Sequence, residues 1–182
     1  MVIKEKVVEI GDGEILLRSA REEDAEQLMD YLVETAKETR YLIREPEESV
    51  VTLEQERKFI REREEDARGF LLIASTQGKQ IGSCAVSSLG SYSRYAHRCS
   101  IAIALYQAYC GRGIGRKMME EALSKARELG YGQAELEVAS SNKPAIHLYE
   151  SLGFCKYGTF PNNMKYKDGT YEDACWMMKK LV

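Results

Sequence analysis

Gly111, Gly113 and Gly115 alternate with Arg112 and Ile114 where a strand-like run gives way to an amphipathic helical pattern. The run before them, Ser100-Ile101-Ala102-Ile103-Ala104-Leu105, is apolar and β-branched at alternate positions. After them Ile114, Met118, Ala122, Leu123, Ala126 and Leu129 recur at helical spacing. The spacing predicts a glycine-rich strand-to-helix turn, so the chain must fold in a way that alternates strand and helix at this point. Without a Cβ, glycine lets the backbone take φ values that other residues resist and lie close against a ligand. The first N–H groups of the new helix have no partner inside it, and the helix dipole makes them favour an anion. Arg112, Arg116 and Lys117 add positive charge, which attracts a polyanion without choosing among polyanions.

Two well-known phosphate loops do not fit. A dinucleotide fingerprint spaces its glycines G-x-G-x-x-G, whereas here they fall G-x-G-x-G and Arg116 follows; a Walker loop needs G-x-x-x-x-G-K-[ST], which does not occur. The stretch from Cys110 to Gly115 matches [QR]-x-x-G-x-[GA] in all but its first position. A second block, Asn142-Lys143-Pro144-Ala145-Ile146-His147-Leu148-Tyr149-Glu150-Ser151-Leu152-Gly153-Phe154, fills every named position of N-x-x-A-x-x-L-Y-x-x-x-G-F. Read physically, that block is a short helix with Asn142 near its start, Pro144 in its first turn and Gly153 as its stop. Ala145, Leu148, Tyr149 and Leu152 share one face, which by itself is also what a core aromatic at Tyr149 would produce.

Through these two blocks the chain resembles the GCN5-related N-acetyltransferases. The resemblance implies an acetyl-coenzyme A site: the loop of Gly111, Arg112, Gly113, Ile114, Gly115 and Arg116 receives the pyrophosphate. Backbone at Ile103, Ala104 and Leu105 supplies an oxyanion donor and contacts to the pantetheine arm. Asn142 and Ala145 lie along that arm, with Asn142 hydrogen-bonding it or positioning the tyrosine segment, and Tyr149 is the general acid that protonates the departing sulfur. It also implies an α+β fold, α/β/α layered, with a mixed, twisted sheet of about seven strands flanked by helices and with the fourth and fifth strands splayed. Those two strands would be Arg98 to Leu105 and Gln133 to Ala139.

Two positions depart from the family pattern. Many relatives carry a glutamate on the fourth strand where an ungapped count places Ser100, a poor general base that can still hold a relaying water. Cys110 stands where relatives have Arg or Gln; the backbone amide survives the change and a long polar side chain is lost. His97 has the intrinsic pKa of a base but sits at the strand edge. Glu135 and Glu137 alternate with apolar residues, which reads as a solvent-facing pair.

The remaining chain is expected to complete a single N-acetyltransferase domain over residues 1–182. With 30% charged and 44% hydrophobic residues it has the balance of a soluble globular protein, and the formal charge of −3 argues against a nucleic-acid partner. No apolar run reaches the roughly 20 residues of a membrane span, and the first residues lack a signal core, so a cytoplasmic protein with no membrane partner is expected. Five cysteines without a C-x-x-C pair and only His97 and His147 as imidazoles give no disulfide framework and no metal site. The state is expected to be monomer or homodimer.

Glu14 to Arg18 reads as a first strand and about Arg21 to Thr39 as a helix, with Ala25, Leu28, Met29, Leu32, Val33 and Ala36 as its apolar stripe. Thr52-x-x-Gln55 has the form of a capping box for a second helix, whose charge run reads as a solvated face. Strands follow at Phe70 to Ser75, Gln80 to Ser88 and Arg98 to Leu105, then Gln133 to Ala139, Phe154 to Thr159 and Glu172 to Lys179. Gln77-Gly78-Lys79 and Asp168-Gly169 read as hairpin turns. Tyr92, Tyr95, Tyr106 and Tyr109 either line an acceptor pocket or cover the sheet. The expected activity is acetyl transfer from acetyl-coenzyme A to a primary amine, on a small molecule, an amino acid or a protein N-terminus. The alternative is an acyl-coenzyme A sensor with little turnover. A simple nucleotide-binding protein leaves the Asn142 to Phe154 block unexplained.

Overall fold

The computed structural model describes residues 2–11 and 13–182. They form two compact units, Met1–Ser87 with Ile103–Ala122 and Ser88–Ala102 with Leu123–Val182. The chain passes between the units three times, at the end of one strand, inside the next and inside a helix.

In the first unit, strands β1 (Lys6–Ile10), β2 (Gly13–Ser19), β3 (Phe70–Thr76) and β4 (Lys79–Ser88) pair antiparallel in that order. Alternation writes β2, where Ile15, Leu17 and Ser19 are buried. The central β3 is apolar throughout, and Phe70 to Ala74 are buried. Turn chemistry writes the β3–β4 hairpin, since Gln77 and Gly78 both hold positive φ, 49° and 77°. β1 is an addition to the strands read from sequence. Its half-exposed pattern carries little hydrophobic contrast, and its pairing with β2 is what makes it a strand.

Helices α1 (Ala25–Glu38) and α2 (Leu53–Glu65) pack on this ladder through Ala25, Leu28, Tyr31 and Ile60 against Leu71 and Ile73. Each fully buried leucine or isoleucine among them contributes about 1.5–3 kcal/mol. α1 starts later than the periodicity suggests because Glu22–Asp24 form a 3₁₀ turn first. The Asp24 carboxylate there accepts from the Arg21 N–H at 2.7 Å and takes a two-pronged bond from Arg18. α2 begins with the expected capping box: Thr52 Oγ1 accepts from the Gln55 N–H and Gln55 Oε1 accepts from the Thr52 N–H. Its charge run is a solvated face, with Arg61 reaching Glu22 and Lys58 facing Glu62.

The second unit holds the parallel pair β5 (Arg98–Leu105) and β6 (Gln133–Ala139), then β7 (Cys155–Lys165) and β8 (Tyr171–Lys180), with β8 between β6 and β7 and antiparallel to both. The β5–β6 ladder covers three positions among the described residues, Arg98↔Gln133 to Ser100↔Glu135, and both strands run on beyond it. β5 ends in the first unit, followed by a 3₁₀ turn at Gln107–Tyr109 and then by α3 (Ile114–Glu128), which returns the chain to the second. The short helix α4 (Lys143–Ser151) follows β6. Among the described residues, eight strands and four helices make the mixed α+β class expected, with one strand more than counted and with mostly antiparallel pairing. β7 is longer than its apolar run because two register irregularities carry it past Phe160 to Lys165.

Candidate active site

The glycine loop takes the backbone its sequence demands. Gly111 and Gly113 sit at φ 74° and 82°, and α3 starts at Ile114 with the Lys117 N–H donating back to the Gly113 carbonyl. A Cβ at either glycine would meet nothing within 4 Å, so their conformation rather than crowding requires glycine, and the space beside them is open. Gly115 and Ile114 are buried inside the first helical turn. The Arg112 guanidinium lies over the Tyr109 ring, 5.6 Å from its centroid, and both line a cavity of about 840 Å³ in this unit. Arg116 and Lys117 share Glu120 at 3.9 and 3.7 Å. These are loose surface pairs. Cys110 is exposed, its Sγ 3.6 Å from the Tyr106 carbonyl, and burial of the thiol followed by the nearby Glu38 pushes its pKa up.

At the end of β5, Ile103, Ala104 and Leu105 are half-buried. The Tyr31 hydroxyl donates to the Ala104 carbonyl at 2.6 Å and accepts from the Ser83 N–H at 3.1 Å, so a side chain stands where a direct β4–β5 bond would be. Backbone contact resumes one step on, with Tyr106 N–H donating to Ile81 at 3.1 Å. The Ala104 carbonyl and the Leu105 N–H belong to one trans-planar peptide and point opposite ways. Tyr31 therefore aims the Leu105 N–H away from itself. Gly82 makes the close approach feasible, since a Cβ there would lie 2.5 Å from Leu105 Cδ2 and 3.2 Å from the Ala104 oxygen. Tyr31 is buried against Tyr106 edge-on at 5.1 Å, and burial pushes its pKa well up, so it works as a neutral hydroxyl.

Neither Tyr31 nor Gly82 stands out as a site residue in the sequence. Tyr31 does fall on the Leu28-Tyr31-Thr35 row of α1, and that row, not the one through Met29 and Leu32, faces the strands most fully. A polar tip in the most buried row was the available signal.

The second unit carries the other candidates. Asn142 caps α4, its Oδ1 accepting from the Ala145 N–H at 3.3 Å, with Pro144 in the first turn and Gly153 at φ 86° as the stop. Tyr149 is 8% exposed, its ring 6.0 Å from Phe154. Ala145 is half-buried in the first turn of α4. Ser100 is half-buried on β5, paired in register with Glu135. His97 is exposed, and its carbonyl accepts from the Gly132 and Gln133 N–H groups.

Glu135 corrects the expectation of a solvent-facing pair. It is 7% exposed and takes two bonds from Arg98, at 2.5 and 2.7 Å, another from Gln133 at 2.8 Å, and a contact at 3.5 Å from the Tyr157 hydroxyl. The Arg98 guanidinium, outweighing burial, holds its carboxyl below the usual carboxylate range, which makes Glu135 a poor proton acceptor. Glu137 does face outward, as expected. The four tyrosines divide among separate partners: Tyr106 packs on Tyr31 under the Lys79 ammonium, Tyr109 lies under Arg112, Tyr95 under Arg98, and Tyr92 is exposed. Among the described residues no group of three or more His, Cys, Asp or Glu side chains could hold a metal ion, and no helix is long and apolar enough to cross a membrane.

A family model described as Acetyltransferase (GNAT) family matches residues 29–154. The chain is 39% identical over 94 residues to streptothricin acetyltransferase of Streptomyces lavendulae, covering 51% of this chain and 47% of that protein. It is 24% identical over 111 residues to the L-amino acid N-acyltransferase MnaT of Escherichia coli, covering 61% and 64%. The chain thus spans about half to two thirds of the length of these relatives. A solved acetyltransferase of the GNAT family from Streptococcus pneumoniae superposes with TM-score 0.87 at 25% identity, over 91% of this chain and 99% of that one. The fold is also that of yncA from Salmonella typhimurium, solved with its cofactor acetyl-CoA, with TM-score 0.80 at 20% identity over 92% and 94%.

Proposed function

We propose, from the premise that this chain belongs to the acetyltransferase (GNAT) family, that it is an acetyl-coenzyme A-dependent N-acetyltransferase acting on a primary amine through direct attack, with residues 1–182 working as one catalytic domain. The observation that carries the reading is the positive-φ glycine pair at the head of α3, open to a ligand and flanked by Arg112, Arg116 and Lys117. That cradle fits a pyrophosphate: unpaired helical N–H groups and the dipole favour the anion, and the cations add long-range attraction.

When bound, acetyl-coenzyme A supplies an activated acetyl thioester. The residues of this chain then do three things. The Leu105 N–H, aimed by Tyr31 through the Ala104 peptide, is the donor for charge developing on the carbonyl oxygen. Backbone at Ile103 and Ala104, with Asn142 and Ala145, guides the pantetheine arm. Tyr149 lends its proton to the departing sulfur as the C–S bond breaks; with a phenol near 10 and a thiol near 8.5 that transfer is uphill by roughly 2 kcal/mol, small beside a turnover barrier, and solvent returns a proton to the phenolate afterwards. The amine must shed a proton first, at a cost of roughly 4 kcal/mol at pH 7 for an amine of pKa about 10. With Glu135 committed to Arg98, a water held at Ser100 is the path for that proton.

Thiol release from acetyl-coenzyme A with a panel of amines, amino acids and N-terminal peptides tests the reading. Tyr149→Phe is expected to lower turnover while leaving coenzyme A affinity within about twofold, since only the proton is removed. Equal turnover in the two proteins would take Tyr149 out of the mechanism.

The commitment of Glu135 to Arg98, together with serine at position 100, favours one second reading, an acyl-coenzyme A sensor with little turnover. Tight calorimetric binding without thiol release from any acceptor class would select it. The protein is placed in the cytoplasm on this reading, as monomer or homodimer, with no nucleic-acid or membrane partner.

A further inference from the structure

The outer face of β7 and β8 carries a built feature that acetyl transfer does not use. Trp176 faces Glu137 across the β6–β8 ladder and donates its indole N–H to Oε2 at 2.9 Å, while Asn163 Nδ2 donates to Oε1 at 2.7 Å. The carboxylate is thus fixed by two neutral donors, and among the described residues no cation pairs with it. Around it stand three aromatic rings that a monomeric protein would ordinarily cover. Tyr157 is 53% exposed, Phe160 46% and Trp176 36%, with the Tyr157 and Phe160 centroids 6.2 and 5.6 Å from that of Trp176.

Strand irregularity assembles this group. Lys156 pairs with Met177 and Gly158 with Trp176, so Tyr157 is an extra residue in the ladder; Pro161 to Asn163 stand against Asp173 alone, two residues in excess, with Asn162 at φ 53°. The first bulge re-aims Tyr157 toward the face that carries Trp176 and Phe160. The second swings Asn163 to Glu137. The neighbouring carboxylate, Glu135, is neutralised by Arg98.

We propose that Glu137, Trp176, Tyr157 and Phe160 form a binding site for a small organic cation, an alkylammonium group. A carboxylate held by neutral donors offers full charge to a cation, and aromatic faces add quadrupole attraction and apolar cover for the alkyl part. Because a carboxylate stabilises the protonated form of any amine beside it, the group held here stays an ammonium and is not the nucleophile.

Trp176 is the single tryptophan of the chain, so its fluorescence reports on this site alone. Titration of the whole protein with propylammonium and tetramethylammonium is expected to change that emission saturably. The uncharged isosteres propan-1-ol and tert-butanol should bind about tenfold more weakly. Glu137→Gln, which keeps the size and the acceptor oxygen for Trp176, should lose about tenfold in affinity for both cations. Equal binding of cations and alcohols by the wild-type protein would overturn the proposal, as would unchanged affinity in Glu137→Gln. So would a dimer in solution that dissociates on Phe160→Ala, since the face would then belong to a second copy. The titration needs no acetyl-coenzyme A, so a failure of acetyl transfer with cation binding intact refutes only the acetyltransferase reading.

Discussion

The Tyr31 hydroxyl is inserted between β4 and β5, bonded to the Ala104 carbonyl at 2.6 Å, so a residue of the first helix sets the direction of the peptide that presents the Leu105 N–H. The strand end is thereby held by a side chain that nothing in the glycine loop or the tyrosine block reveals.

Tyr31→Phe keeps the ring and removes the bridge, leaving the Ser83 N–H and the Ala104 carbonyl to find each other or remain unpaired. The expected loss is about 1–3 kcal/mol in denaturant unfolding. In the proposed reaction turnover should fall more than coenzyme A affinity, because the Leu105 N–H loses its aim while the phosphate loop is untouched. An affinity loss as large as the turnover loss would show that Tyr31 acts on the fold alone.

Gly82→Ala places a methyl 2.5 Å from Leu105 Cδ2 and 3.2 Å from the Met118 sulfur, inside a packed interior. The end of β5 must shift, and overpacking of this kind costs typically about 1–3 kcal/mol. Thermal unfolding would register the loss. If the melting temperature is unchanged, Leu105 has repacked freely and the close approach is not needed.

Gly113→Ala meets no clash, so its cost comes from holding φ 82° with a side chain, about 1–2 kcal/mol. Gly113→Asn should cost less, because asparagine tolerates the left-handed region. Calorimetry with coenzyme A is expected to rank affinity as glycine, then asparagine, then alanine.

Glu135 and Arg98 set an acid dependence. The folded protein holds the Glu135 carboxyl below its ordinary 4.5, so its contribution to stability is fully present above that pH and is lost as pH falls through the folded value. Asp24 behaves alike: burial would raise it, and the bonds from Arg18 and the Arg21 N–H outweigh that and lower it. Glu135→Gln should therefore destabilise the protein at neutral pH and progressively less below pH 4.5. Parallel stability curves for the two proteins across that range would remove Glu135 from the acid response.

Asn142→Ala removes the side-chain acceptor at the head of a nine-residue helix, a loss of about 1 kcal/mol. Since α4 carries Tyr149, turnover should fall with it even where the overall fold persists, as followed by far-ultraviolet dichroism.

The sequence by itself determined the local elements whose cause is local. Alternation in β2, the capping box of Thr52 and Gln55, the left-handed turn at Gln77-Gly78, the glycines at φ 74° and 82° and the Asn142 to Gly153 helix each follow from residues within a few positions of one another. Partners distant in sequence were decided by the tertiary structure alone. Glu135 reads as outward-facing by its period, yet Arg98, 37 residues earlier, is brought beside it by parallel pairing. β1 is a strand because β2 lies next to it, and Tyr157 joins Trp176 because β7 bulges. Tyr31 meets Ala104 across 73 residues. Periodicity reports which face a residue occupies, while hydrogen bonds and ion pairs depend on what the fold sets opposite that face, and no spacing within a single segment encodes it.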